Sequence, residues 1–167
     1  MPKVPAPETL ISNLERARKV ADKIPDALRY NYTCVRPVEI RQIDPIDYFN
    51  VQVKEPNNQM WMRTIQPLPD NEVIHQCLLA YASDFGLLET SMRPHGVCIA
   101  TPSMQVASLD HAMWFHQDFR FDEWLLYDVQ SPRASNARGL NYGAFFNQRG
   151  DLVASTVQEG LMRQHGD

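Results

Sequence analysis

At 167 residues the chain is one domain's worth, long enough for a single solid core. Hydrophobic residues make up 44% and charged residues 22%, the composition of an ordinary soluble globular protein. A net charge of -4 gives no electrostatic reason to expect nucleic acid or an anionic membrane as partner, although a local basic patch for a phosphate-bearing ligand stays open.

Residues 2–7, PKVPAP, are proline-spaced and predict an extended linker. From Glu8 to Leu28 the positions Leu10, Leu14, Ala17, Ala21 and Ile24 fall near helical spacing, which predicts an amphipathic helix ending near Pro25. Residues 1–36 thus form a linker and helix, and 37–167 a single domain. No apolar signal region opens the chain, so the sequon Asn31-Tyr32-Thr33 is expected to stay unglycosylated. The ending His165-Gly166-Asp167 is neither a peroxisomal nor a reticular retrieval signal, and no run is apolar enough to span a bilayer. The expected location is cytoplasmic. Cys34, Cys77 and Cys98 are far apart and odd in number, which predicts reduced core thiols.

Val38 to Ile43 and Gln59 to Ile65 alternate and predict two strands, separated by a proline- and asparagine-containing loop. Asp70-Asn71-Glu72 is a helix start. Ile74, Cys77, Leu78, Tyr81, Phe85, Leu88 and Met92 follow at spacings of three and four, predicting a largely buried helix of about five turns with Asp84 within it. Four strand-like runs come next, at Met104 to His116, Glu123 to Ser131, Ala137 to Asn147 and Leu152 to Arg163. Gln148-Arg149-Gly150-Asp151 is the turn of the last hairpin. Two strands, one long helix and an antiparallel meander predict an α+β fold, a curved antiparallel sheet wrapped around one long central helix.

On a continuous strand, Val106, Ser108, Asp110 and Ala112 face one way, and Ala107, Leu109 and His111 the other. Asp84, Ser108 and Gln158 are polar residues in apolar surroundings, and a helix lying across the sheet could bring them together. A carboxylate in a dry pocket could take a proton from water, while a hydroxyl and an amide fix that water in line with a carbonyl carbon. A paired or capping carboxylate is the alternative for Asp84. His111 and His116, five apart, would face opposite sides of a strand and make poor joint metal ligands. No G-x-S-x-G elbow, P-loop or G-x-G-x-x-G motif is present. Arg133 and Arg138 flank a Ser-Asn turn that could meet phosphates or simply be solvated. Trp61, Trp114 and Trp124 are simplest as core residues.

Taken together, YASDFGLL (81–88), RPHG (93–96), ASLDHAMWFH (107–116), EWLLYDVQSP (123–132), ASNARG (134–139) and LVASTVQEGLMR (152–163) resemble the C-terminal half of the type II acyl-CoA thioesterases. VPAPETL resembles that family's mid-chain linker. The resemblance implies a hotdog fold and the hydrolysis of fatty acyl-CoA to free fatty acid and CoA, with no cofactor, no metal and no covalent acyl-enzyme. It puts the family's carboxylate on Asp84, its hydroxyl on Ser108 and its amide on Gln158, with Asp110 as structural support. Family members carry two hotdog units, so a lone unit is expected to self-associate into a homo-oligomer. The alternatives are a catalytically incomplete domain that binds acyl-CoA or mediates assembly, and a different hotdog activity such as a dehydratase. The dehydratase is disfavoured because the helix offers only His75, near its start.

Overall fold

The computed structural model describes residues 1–166, one short of the expected 37–167 domain end, so Asp167 lies outside the described residues. Near the N-terminus the single helix expected over Glu8–Leu28 is replaced by two short ones, α1 (Asn13–Lys19) and α2 (Asp26–Thr33). Ser12 starts the first with a reciprocal capping box to Glu15, and Pro25, lacking an N–H, precedes the second. The strands are β1 (Val38–Gln42), β2 (Asn57–Thr64), β3 (Met104–Ser108), β4 (Ala112–Phe115), β5 (Leu125–Ser135), β6 (Arg138–Phe146) and β7 (Leu152–Gln164). They form one antiparallel sheet in the order β1-β2-β5-β6-β7-β3, with β4 also pairing β7.

The expected long helix lies over the inner face of this sheet in two segments, α3 (Glu72–Ser83) and α4 (Leu87–Met92). Asp84 is therefore the C-terminal cap of α3 and not a mid-helix residue. Gly86 has φ +81, so the break needs glycine for backbone hand, and a Cβ there would also push on the flexible end of Met60, 2.6 Å away. Further along, α4 lies close enough to β7 that a Cβ on Gly160 would come within 2.6 Å of Leu88. The core on this face gathers Val38, Met60, Met62, Leu79, Leu87, Phe121, Leu125, Tyr127, Phe145 and Val153.

The face of α3 turned to the sheet is His75, Leu79, Ala82 and Ser83. Of the stripe expected to be buried, Met92 is, and Leu78 and Phe85 pack against the core while partly covered, but its centre is rotated away from the sheet. Cys77 and Tyr81 are exposed and Ile74 and Leu78 only partly covered, because small Ala82 and Ser83 let the helix seat on their side. The cysteines follow suit: only Cys98 is buried, Cys34 is partly so, and all three are free. Trp61 and Trp124 are buried on the outer face with Leu126, under Val4 and Leu10 of the N-terminal segment. Trp61 Nε1 donates to the Pro5 carbonyl (2.9 Å), and Arg41 donates to those of Pro7 and Leu10 (2.8 and 3.1 Å). Trp114, by contrast, is 51% exposed on an edge strand.

One buried polar cluster fastens α4 to the loop between β1 and β2. Tyr48 Oη donates to Glu89 Oε2 (2.8 Å), Gln42 Nε2 donates to Glu89 Oε1 (3.4 Å), and the buried Arg93 guanidinium holds Asp44. Burial raises the Glu89 carboxyl above its ordinary range, against the opposing effects of these two donors and of Arg93.

Two outcomes are expected. Gly86→Ala costs about 1–2 kcal/mol in urea unfolding, from the positive φ and the Met60 contact. For Glu89, a folded-state pKa above the unfolded one favours folding below the unfolded value, and that contribution is lost as pH rises through the folded value. Glu89→Gln is therefore expected to gain stability relative to the native chain as pH rises above the ordinary carboxylate range, read from paired urea titrations.

Candidate active site

Asp84, Ser108 and Gln158 come from the helix break, from β3 and from β7, and the fold brings all three together. Gln158 Nε2 donates to Asp84 Oδ1 at 2.5 Å and lies 3.1 Å from Ser108 Oγ, which in turn donates to Asp84 Oδ1 at 3.2 Å. Gln158 is fully buried, while Asp84 and Ser108 are exposed. The carboxylate thus sits at the mouth of an open pocket of about 340 Å³, lined by Asp84, Ser108, Leu109, Asp110, His111 and Gln158. The dry surroundings expected for Asp84 are not supplied by this single chain.

The end of α3 is held in place from below. Tyr127 Oη donates to the Ser83 carbonyl (2.8 Å) and is 2.8 Å from Thr156 Oγ1 on β7. Burial keeps the Tyr127 phenol well above its usual range, and the nearby Asp84 charge adds to this, so it remains a donor. Its ring stacks on Phe145, with centroids 3.8 Å apart and planes 4° from parallel. The last carbonyls of a helix need partners, and a side chain that can reach up from the sheet supplies one here.

The strand expected from Met104 to His116 is interrupted. Ser108 pairs with Gly160 and Ala112 with Val157, so three residues, 109–111, face two on β7. This is a bulge. Both Leu109 N and Asp110 N reach the Glu159 carbonyl (3.0 and 3.4 Å), and the Asp110 carboxylate accepts from the Glu159 N–H (2.7 Å). The extra residue reverses the alternation beyond it. Ala112, paired with the outward Val157, lies opposite Ser108 instead of beside it, and His111 turns inward. His111 Nε2 is 2.8 Å from Ser83 Oγ, and Nδ1 is 3.4 Å from Gln158 Nε2. His116, beyond the bulge, is instead 2.9 Å from Ser155 Oγ.

His111, Ser83, Tyr127 and Thr156 were not singled out from the sequence as parts of this site. Thr156 was accessible, since it stands two residues before Gln158 on the same face of a strand. His111 was not, because period-two counting put it on the wrong side. Elsewhere, His75 accepts the Phe121 N–H (2.9 Å) and is not part of this group, and Arg138 pairs with Glu159 (3.3 Å) beside the β5–β6 turn.

Comparison with known proteins settles the family. The sequence model of the acyl-CoA thioesterases matches residues 28–161. The chain belongs to the acyl-CoA thioesterase family. It is 37% identical over 163 residues to acyl-CoA thioesterase 2 of Haemophilus influenzae, covering 98% of this chain and 57% of that one. It is 36% identical over 170 residues to human acyl-coenzyme A thioesterase 8, covering 98% and 53%. The crystal structure of the acyl-CoA thioesterase II TesB2 of Mycobacterium marinum superimposes with a TM-score of 0.73 at 37% identity, over 99% of this chain and 56% of that one. A hotdog-fold protein of Alicyclobacillus acidocaldarius, at 20% identity and a TM-score of 0.67, shares the fold. The chain spans about half the length of the relatives it matches.

The bulge gives a direct check on the site's architecture. Asp110→Ala removes the acceptor for the Glu159 N–H and is expected to cost about 1 kcal/mol, with faster hydrogen exchange at the Glu159 amide as the local readout.

Proposed function

We propose that the chain is an acyl-CoA thioester hydrolase unit in which Asp84 acts as general base on a water that donates its other hydrogen to Ser108, with Gln158 holding the Asp84 carboxylate and the Ser108 hydroxyl in place. The observation that carries this reading is the convergence of two donors, the Gln158 amide and the Ser108 hydroxyl, on one oxygen of Asp84. These bonds fix the carboxylate's plane and aim it at the open pocket. A water seated there would lose a proton to Asp84 as its oxygen attacks the thioester carbonyl. The C–S bond of the resulting tetrahedral species then breaks, the departing CoA sulfur takes up the proton held on Asp84, and the free acid and CoA thiol are released with the base restored. Neither serine nor any other side chain need form an acyl intermediate. A fixed base and a fixed water together contribute on the order of 10²- to 10⁴-fold in rate.

A second unit of the same fold, supplied by another copy of the chain, completes the site in this proposal. Three features support pairing. Asp84 and Ser108 stand open to solvent, and the outer edge of β3 and β4 is unpaired among the described residues. In addition, Val73 (63% exposed) and Tyr81 (47%) leave an apolar stripe of α3 uncovered. A covered site would exclude bulk water and strengthen the charges within it. The alternative, a domain that binds acyl-CoA or mediates assembly and is inactive without a different second hotdog unit, rests on the half-length match to its relatives.

The test is thiol release from a series of acyl-CoAs by purified protein, run beside light scattering. Hydrolysis by an oligomer is expected, with Asp84→Asn lowering kcat by about 10²-fold or more and Ser108→Ala by about tenfold. An active Asp84→Asn protein would remove Asp84 from the role of base. A folded native chain without activity would favour the alternative.

A further inference from the structure

His111 lines the open pocket beside Asp84, Ser108 and Gln158, and the hydrogen-bond partners around its imidazole leave one arrangement. Ser83 Oγ donates to the Ala80 carbonyl (2.8 Å), an acceptor only. The serine hydroxyl has one hydrogen, so toward His111 Nε2 it can only accept. Nε2 therefore carries a ring hydrogen, which leaves Nδ1 to present a lone pair toward the donor it faces. That lone pair faces Gln158 Nε2, a donor with two hydrogens. One of these goes to Asp84 Oδ1, and the other lies between Ser108 Oγ and His111 Nδ1.

On the opposite side of the amide, Gln158 Oε1 is buried without a hydrogen-bond partner among the described residues. Its cross-strand neighbour Asn141 likewise buries an unpartnered Oδ1. Nothing there holds the amide's orientation from behind, so it is set from the Asp84 side. The charged groups near the ring are few. Asp84 flanks it from the helix break, Asp110 precedes it in the bulge with its carboxylate on the Glu159 N–H, and the Glu159 carboxylate pairs with Arg138.

We infer that His111, turned inward by the bulge at 109–111 and carrying its ring hydrogen on Nε2, is a positioning residue that accepts from Gln158 and fixes the plane of its amide against Asp84. The role rests on Asp84, Ser108 and Gln158 being the reacting set proposed above. The side-chain partners of its ring are Ser83 and Gln158, and it acts through the second of these. The bulge has a purpose in this light: an unbroken strand would place this ring on the outer face.

Two measurements on the native chain and its variants test this. Nitrogen-15 correlation spectra of the ring are expected to show a protonated Nε2 and a bare Nδ1. In the same spectra, the side-chain NH₂ of Gln158 is expected to exchange with solvent about tenfold faster in His111→Phe and at the native rate in His111→Asn, whose Oδ1 can stand where Nδ1 stood. A ring protonated at Nδ1, or an exchange rate indifferent to His111→Phe, would overturn the assignment. With acyl-CoA as substrate, His111→Phe is expected to lower kcat about tenfold at nearly constant KM, and His111→Asn to recover most of it. Equal losses in both variants would mark the ring as merely structural. The two proposals fail separately. An active Asp84→Asn protein would defeat the general-base role while leaving the spectra to judge His111.

Discussion

Everything at this site depends on how closely the second helical segment approaches the sheet. Leu88 can rest on β7 only because residue 160 has no side chain, and the chain can turn between the two segments only because residue 86 has none. With α4 pressed against the strands, the end of α3 falls within reach of Tyr127, which Thr156 braces, and Asp84 falls within reach of Gln158. A larger residue at either glycine would lift the helix and open the distances on which the carboxylate's orientation rests. Backbone contact, more than any polar bond, sets the geometry, and the polar bonds then register it.

The inner face of the sheet near α4 is more polar than a hydrophobic core usually is. Asn58, Asn141, Thr156 and Gln158 are all buried there, facing Ser83, Thr90 and Ser91 of the helical segments. Buried amides are costly unless satisfied, and several of these oxygens and nitrogens lack a protein partner. This layer lies directly beneath the acidic group.

Much of this was legible from the residues alone. The strands at Val38–Gln42, Asn57–Thr64 and the final hairpin follow alternation and turn chemistry, and they begin and end within a few residues of expectation. Asp84, Ser108 and Gln158 stood out as polar residues among apolar neighbours, and they do meet. What could not be read was anything that depends on a count being off by one. A single inserted residue between Ser108 and Ala112 moves His111 from one face to the other, and alternation contains no sign of it. The helix erred for a related reason. An apolar stripe says that a face is covered, without saying by what, and in this chain the sheet takes the neighbouring face of Leu79 and Ala82. Cys77 and Trp114 were assigned to the core by residue type, yet each lies where a lone chain has nothing to set against it.

The two margins of the sheet are not alike. Near β1, Arg41 reaches out to the carbonyls of Pro7 and Leu10, and α1 lies alongside, so the chain's own N-terminal segment packs beside that margin. Along β3 and β4 no such cover exists among the described residues. A sheet with two free margins can add neighbours without end and grow into a ribbon. A sheet with one can take a single neighbour, and if that neighbour is its own copy the contact is two-fold and self-limiting. The proline-spaced opening of the chain, unremarkable as a linker, thus sits on the flank of β1 and β2 through Arg41 and Trp61, and it leaves β3 and β4 as the side of the sheet open to a neighbour.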